Sequence, residues 1–232
     1  MTEHQNEISM QTIVPLMLAG SKADKEQLDR IILEKPDYIE LRLDGLCKEK
    51  NPEDLQNYVE KLIEGTDTVR FIYTIRTRGQ GGEADLDQAQ YEKYIHALSS
   101  FKGLLDIELP SADLFTPCIF DRAVISYHDF EKTPDDKTLS SIWKQMKAFT
   151  PYVEKIAVMP QSEEDVERLL DSCKAHKTES KKIAISMSAL GVKSRIEGDR
   201  YGSSMTFCTV GEASAPGQIS LAQFRSKRLQ LS

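Results

Sequence analysis

Short apolar runs alternate with amphipathic stretches along almost the whole chain. TIVPLML (12–18) precedes ADKEQLDRIILEK, in which Leu28, Ile31 and Ile32 recur at helical spacing. DYIELRLD (37–44) precedes PEDLQNYVEKLIE, with Leu55, Val59, Leu62 and Ile63 on one face. VRFIYTIR (69–76) leads through the loop TRGQGGEADLD into the polar helix AQYEKYIHALSS, and GLLDIEL (103–109) into a weak segment from Ala112 to Cys118. RAVISYH (122–128) is followed by Thr133 and Pro134, a pair suited to the N-cap and first turn of a helix. The stripe of that helix is Leu139, Ile142, Trp143 and Met146. VEKIAVM (153–159) precedes a helix that Ser162 starts, with Val166, Leu169, Leu170 and Cys173 facing inward. KKIAISM (181–187) leads to a short segment from Gly191, and MTFCTV (205–210) runs through SAPGQI into SLAQFRSKRL.

These are eight strand-then-helix cycles, each close to the ~30 residues of a βα unit. Runs apolar on both faces suit a parallel sheet covered by helices. Eight cycles in a chain of this size predict an α/β protein of the (β/α)8 TIM-barrel type, at the compact end of its range. An open doubly wound sheet is the alternative, but no GxGxxG follows the first strand. Residues 1–10 read as a polar tail and 11–232 as one catalytic barrel domain, since no Pro/Gly/Ser-rich linker interrupts them.

Composition narrows the function. The 232 residues are 40% hydrophobic and 29% charged, with a formal net charge of −7. That balance argues against binding to nucleic acid or an anionic membrane, yet it leaves room for a local basic pocket. No apolar run approaches the ~20 residues that span a bilayer, and MTEHQNEISM lacks the basic start and apolar stretch of a signal peptide. Cys47, Cys118, Cys173 and Cys208 are widely spaced and form no CxxC, which predicts reduced thiols in a cytoplasmic protein.

The chemistry of a (β/α)8 barrel sits at the C-terminal ends of its strands. Those positions hold Glu40, Arg42, Asp44, Arg76, Asp106, Glu108, Ser126, His128, Lys155 and Met187, with Ser194, Arg195, Ser214 and Gln218 on later loops. Glu40/Arg42, Asp106/Glu108 and Ser126/His128 are i, i+2 pairs, so each pair shares one strand face. If that face is the barrel interior, acids, arginines, a histidine and a lysine converge. Internal ion pairs filling the barrel mouth are the plainer explanation of any single pair. His4, His96 and His176 fall in the tail or on helices, whereas His128 stands where a general acid/base would. Without HExxH or a second strand-end histidine, a metal site has no support, and GQGG (79–82) lacks the GK[ST] of a phosphate-binding loop.

Six segments then carry a family resemblance: YIELRLD (38–44), YTIRTRGQGG (73–82), ISYHDFEKTP (125–134), EKIAVMP (154–160), ISMSALGVKSR (185–195) and SAPGQI (214–219). In this order they resemble the type I 3-dehydroquinate dehydratases, the Schiff-base enzymes of the shikimate pathway. The resemblance implies dehydration of 3-dehydroquinate to 3-dehydroshikimate through a lysine imine, in a homodimer that needs no cofactor or metal. It implies that Lys155 forms the Schiff base and that His128 is the general acid/base. Arg195 would bind the substrate carboxylate, and Glu40, Arg42 and Arg76 its hydroxyls. Ser214 and Gln218 fall in the loop that reaches the substrate, and Phe130, Met187 and Phe207 match positions lining the pocket. The chain departs from the pattern at Gln80, where many members carry glutamate, and at Ile185, where a second methionine is common. A class I aldolase-like lyase acting on another keto substrate and a non-catalytic carboxylate-binding barrel are the alternatives to this reading.

Overall fold

A computed structural model describes residues 10–211 and 217–231. Eight parallel strands alternate with helices: β1 (Gln11–Met17), α1 (Lys22–Leu33), β2 (Tyr38–Arg42), α2 (Pro52–Ile63), β3 (Phe71–Thr74), α3 (Gln88–Leu98), β4 (Leu104–Glu108) and β5 (Ala123–Asp129). The second half continues with α4 (Asp136–Ala148), β6 (Val153–Val158), α5 (Glu163–Ala175), β7 (Lys181–Ser186), α6 (Val192–Ile196), β8 (Met205–Phe207) and α7 (Leu221–Leu231). Two 3-10 turns, Leu109–Leu114 and Pro117–Arg122, replace a helix between β4 and β5, which accounts for the weak periodicity there. The strand order β7-β6-β5-β4-β3-β2-β1-β8 leaves one seam, between β7 and β8. It is bridged by the Ser204 N–H donating to Lys182 O (2.7 Å) and the Ala184 N–H donating to the Ser203 hydroxyl (3.2 Å). The arrangement is therefore a nearly closed barrel.

The predicted helix faces are the buried ones. Leu139, Ile142, Trp143 and Met146 of α4, and Val166, Leu169, Leu170 and Cys173 of α5, all lie in the core. Each such large apolar side chain contributes roughly 1.5–3 kcal/mol relative to exposure. Ile32 and Ile63 differ, remaining partly exposed at the edges of their stripes. The N-cap expected at Thr133 is supplied instead by Asp135, whose carboxylate accepts the Thr138 N–H at 2.8 Å. Thr133 donates its hydroxyl to Met159 O (3.1 Å) and so ties the β5 loop to the end of β6.

Strand alternation builds the barrel interior in layers. At the N-terminal end, one apolar residue from each strand (Ile13, Tyr38, Ile72, Leu104, Val124, Val153, Ile183 and Met205) joins a single buried cluster. Two residues further along, β2 to β6 present Glu40, Thr74, Asp106, Ser126 and Lys155, all buried. The same step on β7 and β8 gives Ile185 and Phe207. An apolar plug thus carries a polar layer, with two hydrophobic strands flanking it.

Candidate active site

Above the plug a cavity of about 590 Å³ opens at the C-terminal ends of the strands. Glu40, Arg42, Arg76, His128, Phe130, Lys155, Met187, Arg195, Phe207 and Gln218 all line it. Ser214 lies outside the described residues. Gln80 and Ile185, the two departures from the family pattern, are also in the lining.

Lys155 sits at the floor of this cavity, 5% exposed, with its ammonium over the Phe207 ring at 4.4 Å from the centroid. Two carboxylates approach it, Asp106 at 3.5 Å and Glu40 at 3.8 Å. Burial drives the Lys155 pKa down; Glu40 and Asp106 pull it back up, and Arg76 and Arg42 push it down again. Burial is the largest of these effects, so the net result lies below the ordinary lysine value. Asp106 is engaged by Arg76 (2.8 Å) and accepts the Ser126 hydroxyl (2.6 Å), and Glu40 accepts the Thr74 hydroxyl (2.9 Å).

Arg76 lies just beyond the end of β3, and its neighbours explain why a guanidinium tolerates 3% exposure. Besides Asp106 it meets Glu108 at 3.3 Å and donates to Ser126 at 2.9 Å. Burial opposes its charge, but Asp106, Glu108 and Glu40 together raise its pKa above the usual arginine value. Burial also works to raise the Asp106 pKa, yet Arg76, Lys155 and the Ser126 bond carry it below normal. For Glu108 burial prevails and the pKa is raised, despite Arg76 and bonds from Thr77 N–H (2.8 Å) and hydroxyl (2.6 Å). Arg42 is held bidentately by the buried Asp44 (2.9 and 3.0 Å), which also accepts the Glu83 N–H at 3.0 Å. One carboxylate therefore fixes both an arginine and the far side of the loop after β3.

That loop is tightly constrained. A Cβ at Gly82 would stand 2.1 Å from Arg76 O, a backbone contact that no rotamer relieves. Gly81, at φ +79, would place a Cβ 2.1 Å from the Phe130 ring. The close approach lets Gln80 reach the end of β5, where its Oε1 accepts the backbone N–H of His128 at 2.8 Å. We expect Gly82→Ala to displace Arg76 and lower kcat/KM by about tenfold or more, read from steady-state kinetics beside an unchanged far-ultraviolet circular dichroism spectrum.

His128 presents a buried Nδ1 without a hydrogen-bond partner among the described residues. Its ring stacks on Phe130, with centroids 6.2 Å apart and planes at 16°. Burial first, then the cations Arg76, Lys155 and Arg42, push its pKa well below the ordinary histidine value. The imidazole is accordingly neutral at pH 7 and has a ring nitrogen ready to accept a proton.

Arg195 stands on α6 rather than in an irregular loop. Ser194 staples this short helix to β7, its hydroxyl accepting the Ser186 N–H (2.9 Å) and donating to Gly191 O (2.7 Å). Arg195 donates to Ser186 O at 2.7 Å and forms no ion pair among the described residues. Burial without a carboxylate takes its pKa down to about 10. A desolvated guanidinium without an anion is arranged for a carboxylate brought from outside.

The type I 3-dehydroquinase family matches residues 12–228. The chain belongs to that family. It is similar to the 3-dehydroquinate dehydratase of Bacillus subtilis (strain 168), 34% identical over 226 residues and covering 92% of this chain and 89% of that one. It is also similar to that of Streptococcus mutans serotype c, 34% identical over 223 residues, covering 93% and 96%. Among solved structures, 3-dehydroquinate dehydratase from Geobacillus kaustophilus HTA426 superposes with a TM-score of 0.86 at 25% identity, covering 96% of this chain and 91% of that one. A type I enzyme from Clostridium difficile, solved with covalently modified comenic acid, gives 0.83 at 28% identity, covering 96% and 92%. This type I 3-dehydroquinase is thus a lyase of the shikimate pathway built on a TIM barrel.

Asp106, Ser126, Thr74 and Asp44 hold the site together; the sequence placed Asp44, Asp106 and Ser126 at strand ends without giving them a role, and did not point to Thr74. Asp106 and Ser126 were visible as strand-end polar residues, but their bonds cross strands 20 to 50 residues apart. No group of three or more His, Cys, Asp or Glu among the described residues could hold a metal ion.

Proposed function

We propose that Lys155, His128 and Arg195 perform the dehydration of 3-dehydroquinate, the first as nucleophile, the second as proton carrier and the third as carboxylate clamp. The observation that carries this reading is their meeting in one cavity, where the Lys155 and His128 pKa values are both lowered, chiefly by burial, and Arg195 has no ion pair among the described residues. Arg195 takes the C1 carboxylate, replacing hydration lost on burial with charge-assisted bonds. The neutral amine of Lys155 attacks the C3 ketone, and the carbinolamine takes up one proton from solvent, relayed by His128, and loses water to leave a protonated imine; the final hydrolysis returns that proton.

That imine is a fixed cation, and Asp106 and Glu40 already lie where it forms. The carboxylates that oppose deprotonation of the amine therefore favour the intermediate that follows. His128 removes the C2 proton, and the C–H electrons pass toward the iminium nitrogen to give an enamine. The enamine then expels the C1 hydroxyl, which takes the proton from His128 and leaves as water. An imidazolium desolvated here beside Arg76 and Arg42 is unusually acidic, so it releases this proton readily. Hydrolysis of the conjugated iminium returns Lys155 and 3-dehydroshikimate. Glu40, Arg42, Arg76 and Gln218 bind the substrate's polar groups, while Phe130, Met187 and Phe207 exclude water.

The reading is tested by incubating the protein with 3-dehydroquinate and following the conjugated product by ultraviolet absorbance. Absence of that product would sink it. Arg195→Met should raise KM about 10²-fold or more, since charge-assisted bonds are worth ~1.5–3 kcal/mol each. The same variant should unfold at higher urea concentration than wild type, because an uncompensated buried charge is gone. A homodimer in the cytoplasm belongs to the same reading. Cys47, Cys118, Cys173 and Cys208, widely spaced and without a CxxC, suit a reducing compartment, and light scattering reads the assembly state.

A further inference from the structure

A second concavity, of about 490 Å³, lies at the opposite end of the barrel from the catalytic cavity. It is formed by the C-terminal ends of α4 and α5, the start of β7 and the turn before β8. Its lining includes Lys147, Lys174, Lys177, Lys182 and Arg200, against one carboxylate, Glu179. Such a concentration of cations stands out in a chain with a net charge of −7.

The plain role for these lysines is to cap the carbonyl end of α5. Lys182 donates to Cys173 O and to His176 O (2.9 Å), Lys147 to Lys177 O (2.6 Å) and Lys177 to Lys174 O (3.3 Å). A helix C-terminus carries only about half a negative charge, however. Arg200 is paired with Glu197 at 2.7 Å, but the four lysines still exceed that need several-fold, and among the described residues no carboxylate lies within 4.0 Å of any of their ammonium groups. Each ammonium has three donors, so these carbonyl bonds hold Lys147, Lys177 and Lys182 in place while leaving at least one donor unused on each, and Lys174 lies over the Tyr201 ring at 5.8 Å from the centroid. Gly202, at φ +86, keeps the space above Lys182 open, since a Cβ there would stand 3.0 Å from its Nζ.

We propose that this pocket binds a multivalent phosphate-type oxyanion, either inorganic polyphosphate or the phosphate chain of a nucleotide. Several fixed ammonium groups around one concavity match an anion bearing several charges better than a single-charge one. Binding is electrostatic and weakens with salt.

The chain carries its own reporter. Trp143, the single tryptophan, stacks on His176 of the pocket wall, with centroids 5.2 Å apart and planes at 17°. Titration with pyrophosphate at low ionic strength should give a saturable change in Trp143 fluorescence and a 1:1 calorimetric isotherm. Pyrophosphate or metal-free ATP should bind about tenfold more tightly than orthophosphate. Tighter binding of pyrophosphate identifies the free polyphosphate as the source of the chemistry, and tighter binding of ATP the nucleotide. The surface variant Lys147→Gln/Lys177→Gln should weaken binding by about tenfold with dehydratase activity unchanged, and Lys182→Met should weaken it independently. Absence of saturation, absence of preference over orthophosphate, or unchanged affinity in the double variant would overturn the proposal. The last result would place the anion at Arg195 instead.

Discussion

Lys155→Ala is expected to lower kcat by about 10⁵-fold, or ~7 kcal/mol in the barrier. The size of the loss follows from what the amine does. A ketone is a weak electron sink, and without the imine the C2 proton must be removed against an unassisted carbonyl. Reduction with borohydride during turnover should attach the substrate's carbon skeleton to wild-type protein at Lys155, and mass spectrometry should find no adduct on the variant. Lys155→Arg sharpens the test. It preserves a cation beside Asp106 and Glu40, whose 3.5 and 3.8 Å approaches would otherwise be left without that partner. A guanidinium that cannot deprotonate should leave the fold intact and the enzyme inactive. Near-normal turnover in either variant would remove the imine from the mechanism.

His128→Ala should cost about 10³-fold in kcat, within the usual range for a positioned acid/base. The borohydride adduct should still form slowly, because Lys155 remains. The acid side of the stability curve gives a second readout. The groups facing His128 are Arg76, Lys155 and Arg42, all cationic, with the neutral Gln80 amide on its backbone and the Phe130 ring alongside. The folded pKa is thus depressed below the unfolded value near ~6.5. Below that value the unfolded chain binds a proton that the folded chain refuses, so stability is present above it and falls as pH drops toward the folded pKa. His128→Asn should lose less stability than wild type between pH 7 and pH 5, the difference in slope approaching about 1.4 kcal/mol per pH unit. Urea unfolding at the two pH values measures it, and identical slopes would show that the folded-state histidine titrates normally.

The β-strands were legible because alternation and run length are local properties. The i, i+2 pairs Glu40/Arg42, Asp106/Glu108 and Ser126/His128 announced a polar interior face, and the barrel places all six inside. The helix start at 133–134 was misread because two neighbouring residues, Thr133 and Asp135, both suit an N-cap, and only the path of the β5 loop decides between them. What no local pattern held was the electrostatic balance at Lys155. Asp106 lies 49 positions away in sequence and approaches the amine only because β4, β5 and β6 are adjacent in the barrel. The use of Gln80 was hidden in the same way. Its side chain meets the main chain of His128, 48 residues on.

The apolar plug at the base of the barrel has a consequence for traffic. With Ile13, Tyr38, Ile72 and their neighbours closing one end, the chamber formed by the described residues is a cup whose mouth lies at the C-terminal ends of the strands. Substrate, product and every water molecule that the reaction releases or consumes must share that doorway. The water expelled when the imine forms starts out in the same vessel as the atoms that will later need one to break it. Turnover is therefore a matter of queueing as well as bond-making: the product has to clear the rim before the next ring can enter.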